Sequence, residues 1–147
     1  MSETLEHPVV VLESGYGPYA QFVTVGRHVM GADESERLGG QDSGPSPYEY
    51  VMAGLGACTA MTLRMYANRR AWKIRTIAVE VKHERVETPA GKTDRFERLI
   101  RIDGDLTHEQ RARLLEIAEK CPVSRTLQRP SLVTSRFADA VAALEPA

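Results

Sequence analysis

Between Tyr50 and Met65 the sequence carries a single charged residue, Arg64, in a stretch that reads as one uninterrupted helix. Its start is well marked. Ser46 is placed as the N-cap, Pro47 takes the first helical position, and Glu49 follows three residues after Ser46. This is a capping box: the serine hydroxyl accepts an N–H of the first turn while the glutamate accepts the N–H of the cap. Proline is tolerated there because the N–H it lacks would have no helical partner. The pattern predicts a helix from Pro47 to about Asn68. A helix with almost no polar face has to be covered nearly all round, so the rest of a 147-residue chain must be arranged about it. Val51, Leu55, Cys58, Thr62 and Met65 share a helical spacing, which predicts a packed stripe with Cys58 in its middle. Gly54, Gly56, Ala57 and Ala60 are small enough to admit another backbone.

The flanking segments are of a different kind. Val9–Leu12, Gln21–Val25 and Arg27–Met30 read as extended segments, separated by the breakers Ser14-Gly15-Tyr16-Gly17-Pro18 and by Gly26. From Gly31 to Ser46 the chain is polar and glycine-rich, a loop long enough to suspect function or docking. After Arg70 the period changes to two: Ile77, Val79 and Val81 alternate with Ala78, Glu80 and Lys82, and Phe96–Ile102 returns after a turn at residues 88–92, which predicts a β-hairpin. A second helix is expected from Thr107, with Gln110 completing another capping box and Leu114, Ile117, Ala118 and Cys121 on one face. Pro122 ends it or restarts the chain in a short helix through Leu127, and Ser131–Ser135 reads as a last strand. The order of elements predicts an α+β fold in a single domain spanning residues 1–147.

Charge excludes some functions. With 19 basic and 20 acidic residues the net charge is −1, which gives no electrostatic case for nucleic acid or an anionic membrane as partner. No segment approaches the roughly 20 apolar residues of a membrane span. The acidic start Met1–His7 has no apolar signal core, so the expected location is cytoplasmic. His7, His28, His83 and His108 lack ligand spacing and two cysteines are too few for an all-cysteine site, so neither a metal nor a cofactor is expected.

The two cysteines, Cys58 and Cys121, admit more than one reading. Free cysteine packs as a small hydrophobe, and a buried, inert pair is the plainest one. A lasting disulfide is disfavoured in a reducing compartment, whereas a transient catalytic one is not. In that chemistry one thiolate attacks an electrophilic oxygen and becomes a sulfenic acid, the second thiol condenses with it, and an external dithiol reduces the resulting bond. Cys121, ahead of Pro122, is expected at the start of the short helix, where free N–H groups favour a thiolate.

The segment Pro47-Tyr48-Glu49-Tyr50-Val51-Met52-Ala53-Gly54-Leu55-Gly56-Ala57-Cys58 resembles the central helix of the OsmC/Ohr family of thiol peroxidases. Cys121-Pro122-Val123-Ser124-Arg125-Thr126-Leu127 resembles that family's second cysteine motif, and the order of elements around both also fits. The resemblance implies an OsmC-like fold with antiparallel strands, a long buried central helix and an intertwined homodimer with active sites at the subunit interface. It implies a peroxidase in which Cys58 is the attacking thiol and Cys121 the resolving one. The implied substrate is an organic hydroperoxide and the implied reductant a lipoyl-type or other dithiol.

The activating residues depart from the family pattern. Tyr48 stands where well-studied members carry a glutamate directly after the proline, and Glu49 follows one residue later, where it also serves the capping box. Arg37 matches the loop arginine of the family's osmotically induced branch with a one-residue insertion, and Arg125, past Cys121, is the alternative. These departures leave a second reading beside the peroxidase: a non-catalytic OsmC-like dimer that binds a small apolar or electrophilic ligand.

Overall fold

The computed structural model of the chain describes residues 7–139, and every extended segment expected ahead of the long helix is a strand in it. β1 (Val9–Glu13), β2 (Gln21–Val25) and β3 (His28–Ala32) form one antiparallel sheet in that order. Val25 pairs with His28, so the β2–β3 turn has only two central residues. Gly26 takes the first of them at a φ of 55°, a left-handed value that glycine adopts without a Cβ clash. Then come α1 (Pro47–Arg69), β4 (Ile74–Thr88), β5 (Gly91–Gly104), α2 (His108–Ala118) and α3 (Pro122–Leu127). The fold class is α+β, as expected.

The chain divides into two compact units, one within Met1–Tyr50 and Thr134–Ala147, the other Val51–Val133. In the first, the long loop is organised around one carboxylate. Asp33 is buried and accepts the N–H of Glu34 at 2.8 Å, those of Gln41 and Ser43 at 3.2 Å, and the Ser43 hydroxyl at 2.7 Å. A short 3-10 turn, Glu36–Leu38, lies between these donors. Four bonds to one side chain replace the ladder that a segment with this much glycine and polarity does not form.

In the second unit β4 and β5 form a long antiparallel hairpin in which Ile77 faces Ile102, Val79 faces Ile100 and Val81 faces Arg98. Its inward face meets a core of Leu63, Tyr66, Leu114, Ile117 and Ala118, with Ile77, Ile100 and Ile102 packed against it. A Cβ built on Gly56 would lie 3.3 Å from Val81 Cγ2, so α1 passes close over β4 at that residue. Thr107 and Gln110 exchange the two bonds of the expected capping box at the start of α2.

Three expectations need correction. The buried stripe of α1 is Leu55, Thr59, Leu63, Tyr66 and Ala67, turned by one residue from the expected one. Burial is also not all round within the single chain, since Met61 and Met65 are each 61% exposed and Val51 37%. In a helix this poor in charge both stripes are apolar, and the large side chains Leu63 and Tyr66 decide which one faces the core. Finally, Ser131–Ser135 is not a strand. Leu132 and Val133 are almost fully exposed, and β-branched composition without a ladder partner does not hold an extended segment in place.

Candidate active site

Cys58 and Cys121, 63 positions apart in the sequence, meet in the second unit. Cys58 projects from the middle of α1 and is partly exposed, while Cys121 is the residue before α3 and is wholly buried. α2 carries the chain to this point, and Pro122 at the first position of α3 turns it without losing a helical bond. The two thiols lie close enough to act on each other's ionisation. Around them, the N–H of Val123 serves both sulfurs, that of Ser124 serves Cys121, and the Thr62 hydroxyl serves Cys58. The Thr59 hydroxyl lies 3.9 Å from Cys121 Sγ and 2.7 Å from the carbonyl oxygen of Leu55.

This environment separates the two thiols. Burial, and then the hydrogen bond it gives to Cys121, push the Cys58 thiol up from its ordinary range. Burial also acts upward on Cys121, but the bonds from Cys58, Ser124 N–H, Thr59 and Val123 N–H outweigh it and hold that thiol down. Sulfur accessibility and thiolate stability therefore fall on different residues.

Arg98 stands behind the pair. It occupies an inward position of β5, and its side chain is only 11% exposed. Nη1 donates to Thr59 Oγ1 at 3.2 Å and to the Ala118 carbonyl at 2.9 Å, while Nη2 donates to Glu119 Oε1 at 3.1 Å. One guanidinium thus ties α1 to the end of α2, the two elements that deliver the cysteines. Sequence reasoning missed both Arg98 and Thr59. The signal was present: Phe96, Arg98, Ile100 and Ile102 alternate in phase, so an arginine falls on the apolar face of a strand.

The other expected site residues belong to the first unit or to the surface. Glu49 is engaged in the capping box: its carboxylate accepts Ser46 N–H at 2.9 Å, and its own N–H donates to Ser46 Oγ at 3.3 Å. The Ser46 N–H, and then the Ser46 hydroxyl, hold the Glu49 carboxyl below its ordinary range. Arg37 lies in the 3-10 turn of the Asp33 loop, and Arg125 is exposed on α3. A cleft of about 500 Å³ in the second unit is lined by Leu55, Phe96, Arg98, Glu119, Ser124 and Leu127, among others. Among the described residues no group of three or more His, Cys, Asp or Glu is placed to hold a metal ion, and no helix is long and apolar enough to cross a membrane.

Known structures share this arrangement of elements. An OsmC-like protein from Mycoplasma pneumoniae superposes with a TM-score of 0.69 at 17% identity, covering 87% of this chain and 89% of that one. An organic hydroperoxide resistance protein OsmC from Legionella pneumophila gives 0.66 at 19% identity, over 86% of this chain and 92% of that one. An organic hydroperoxide resistance protein from Elizabethkingia anophelis, with thiocyanate bound, gives 0.66 at 22% identity, over 85% and 89%. Among curated proteins none matches the chain. The sequence model of the family described as OsmC-like protein matches residues 40–136, a span that holds both cysteines, Thr59 and Arg98. The chain belongs to the OsmC-like protein family.

Proposed function

We propose that the chain is a cysteine-based peroxidase that reduces organic hydroperoxides through Cys58 and Cys121. The observation that carries this reading is that the fold brings together two thiols 63 positions apart, Cys58 partly exposed in the middle of α1 and Cys121 buried beside the Thr59 hydroxyl. As Cys58 sulfur attacks the terminal peroxide oxygen, its proton passes to the neighbouring Cys121 thiolate. The O–O bond breaks, Cys58 becomes a sulfenic acid, and the departing alkoxide takes a proton from solvent water to leave as an alcohol. The Cys121 thiol then condenses with the sulfenic acid, releasing water and closing a disulfide. A dithiol of lipoyl type, or another, reduces that bond and is itself oxidised to a disulfide.

In this reading Arg37 and Glu49 are the residues that activate Cys58, roles carried over from the family pattern. The protomer works as one domain and as a homodimer in the cytoplasm. In support of the dimer, Val51, Met61 and Met65 leave an apolar stripe of α1 exposed in the single chain. One observation favours the second reading, ligand binding without turnover: the Cys58 thiol is pushed up rather than down.

The test is to mix reduced protein with cumene hydroperoxide and follow thiol loss and alcohol formation. Both should proceed much faster than with free cysteine, and Cys58→Ser should abolish them. If neither thiol reacts faster than free cysteine while the hydroperoxide still binds, the binding reading stands and the peroxidase reading fails. Arg37→Ala and Glu49→Gln should each slow the first oxidation step if they serve Cys58.

A further inference from the structure

We propose that Arg98, acting through the Thr59 hydroxyl, sets the direction in which the Cys58–Cys121 disulfide is reduced: an incoming thiolate bonds to Cys58 Sγ and expels Cys121. This rests on the pair being a redox couple, as proposed above. Thiol–disulfide exchange has two possible outcomes, because either sulfur can be attacked, and the choice follows access and leaving-group stability. Both favour the same sulfur here. Cys58 is partly exposed, whereas Cys121 has no exposed surface and offers an external thiolate no line of approach.

The donors point the same way. The Thr59 hydroxyl has one hydrogen and two acceptors within reach, the Leu55 carbonyl at 2.7 Å and Cys121 Sγ at 3.9 Å. Arg98 Nη1 donates to Thr59 Oγ1 at 3.2 Å, which occupies an oxygen lone pair and leaves the hydroxyl to act as a donor. The guanidinium charge also polarises the O–H bond and strengthens that donor. As negative charge builds on Cys121, the hydrogen turns from the Leu55 carbonyl to the sulfur. The N–H of Ser124 and of Val123 add two fixed donors. Arg98 touches neither sulfur in this scheme and is a positioning residue.

The step balances as follows. The first thiolate of the dithiol forms a bond to Cys58 Sγ, the S–S bond breaks, and its electron pair leaves on Cys121. The second thiol of the reductant then attacks the reductant's own sulfur in the mixed disulfide. Cys58 is released as a thiol, one proton is returned to the pair, and the reductant departs as a disulfide.

The experiment uses the full chain oxidised with diamide, which forms disulfides from thiols without peroxide chemistry. The oxidised protein is pulsed with cysteamine, quenched in acid, alkylated at the freed thiol and mapped by peptide mass spectrometry. The expected result is cysteamine on Cys58 in roughly tenfold or greater excess over Cys121, with the alkyl group on Cys121. Thr59→Val should lower that ratio and slow the reaction several-fold, and Thr59→Ser should restore both. Arg98→Met should act like Thr59→Val, with partial recovery in Arg98→Lys. Adduct on Cys121, or equal adduct on both, overturns the proposal and leaves the peroxidase reading in place. An excess on Cys58 that is unchanged in Thr59→Val and Arg98→Met overturns the role given to those two residues. If diamide produces no internal disulfide, the redox pair itself fails and the inference falls with it.

Discussion

Arg98→Met removes the guanidinium while keeping an unbranched side chain of similar reach, and its cost can be worked from the bonds it breaks. The Ala118 carbonyl, at the buried end of α2, loses the donor 2.9 Å away. Leaving a buried acceptor unsatisfied costs about 1–3 kcal/mol. Thr59 Oγ1 keeps its own bond to Leu55 and loses only an accepted one, worth about 0.5–1.5 kcal/mol. Glu119 is 61% exposed at its side chain and regains water, so that ion pair contributes about 0–1 kcal/mol. Methionine offsets part of the sum because a mostly buried cation no longer has to be desolvated. The expected net loss is about 2 kcal/mol. At a urea slope near 1–2 kcal/mol per molar, the midpoint should fall by about 1–2 M. The assay is urea unfolding followed by circular dichroism at one fixed protein concentration, since any self-association would move the midpoint. Pairing Arg98→Met with Thr59→Val in a double-mutant cycle should return a coupling of about 0.5–1.5 kcal/mol. A midpoint unchanged in Arg98→Met, or strictly additive losses in the cycle, would refute the view that this guanidinium ties α1 to α2 through Thr59.

Three further outcomes are expected. In a thiolate absorbance titration of the reduced protein the lower step should lie below the usual thiol value of about 8.5 and vanish in Cys121→Ser; an unchanged lower step there would move the assignment to Cys58. By linkage, the stability supplied by Cys121 is present above the unfolded value and is lost as pH falls through its depressed folded value. That supplied by Cys58 is present below the unfolded value and is lost as pH rises through its elevated one. Leu63→Ala, at a wholly buried core position, should cost about 2–5 kcal/mol by urea unfolding, and a loss under about 1 kcal/mol would mean the core closes over the gap. The Ser43 hydroxyl leads the hydrogen bonds that hold the Asp33 carboxyl below its ordinary range. Its stabilising effect is present above the unfolded value of about 3.9 and is lost as pH falls through the folded one. Protection of the Glu34, Gln41 and Ser43 amides against hydrogen exchange, taken relative to the intrinsic rate at each pH, should therefore fall in that acid window, and Asp33→Asn should remove this pH dependence.

What could be read from the sequence follows the strength of the local signals. The capping boxes at Ser46 and Thr107, the alternation from Ile77 to Val81, the helix restart at Pro122 and the turn at Gly26 are set by neighbours within a few residues, and each lies where expected. The buried face of α1 was not legible in the same way. Hydrophobicity hardly differs between the stripe through Cys58 and the stripe through Thr59, so the decision passes to the bulk of Leu63 and Tyr66 against α2, a long-range fact. The expected strand at Ser131–Ser135 failed for a related reason: extended conformation there depends on a partner edge, which composition alone does not supply.

The candidate site divides along the same line. That Cys58 and Cys121 would meet was implied by the resemblance of their two motifs to one family, and it required only that α2 return the chain to the middle of α1. The part played by Thr59 and Arg98 did not follow, because neither belongs to a cysteine motif. Thr59 looks like an ordinary helix residue until Arg98 is placed opposite Val81 on the inner face of the hairpin. An arginine at that register is costly unless it is paired and hydrogen-bonded, and here Thr59, Ala118 and Glu119 each accept from it. A leucine in its place would continue the apolar face of β5 and leave the Ala118 carbonyl without its donor. The strand therefore breaks its own alternation at the residue that fixes the hydroxyl beside Cys121. A buried charge that violates the local pattern and is hydrogen-bonded to neighbours of a thiol pair marks the site more sharply than either cysteine's position alone.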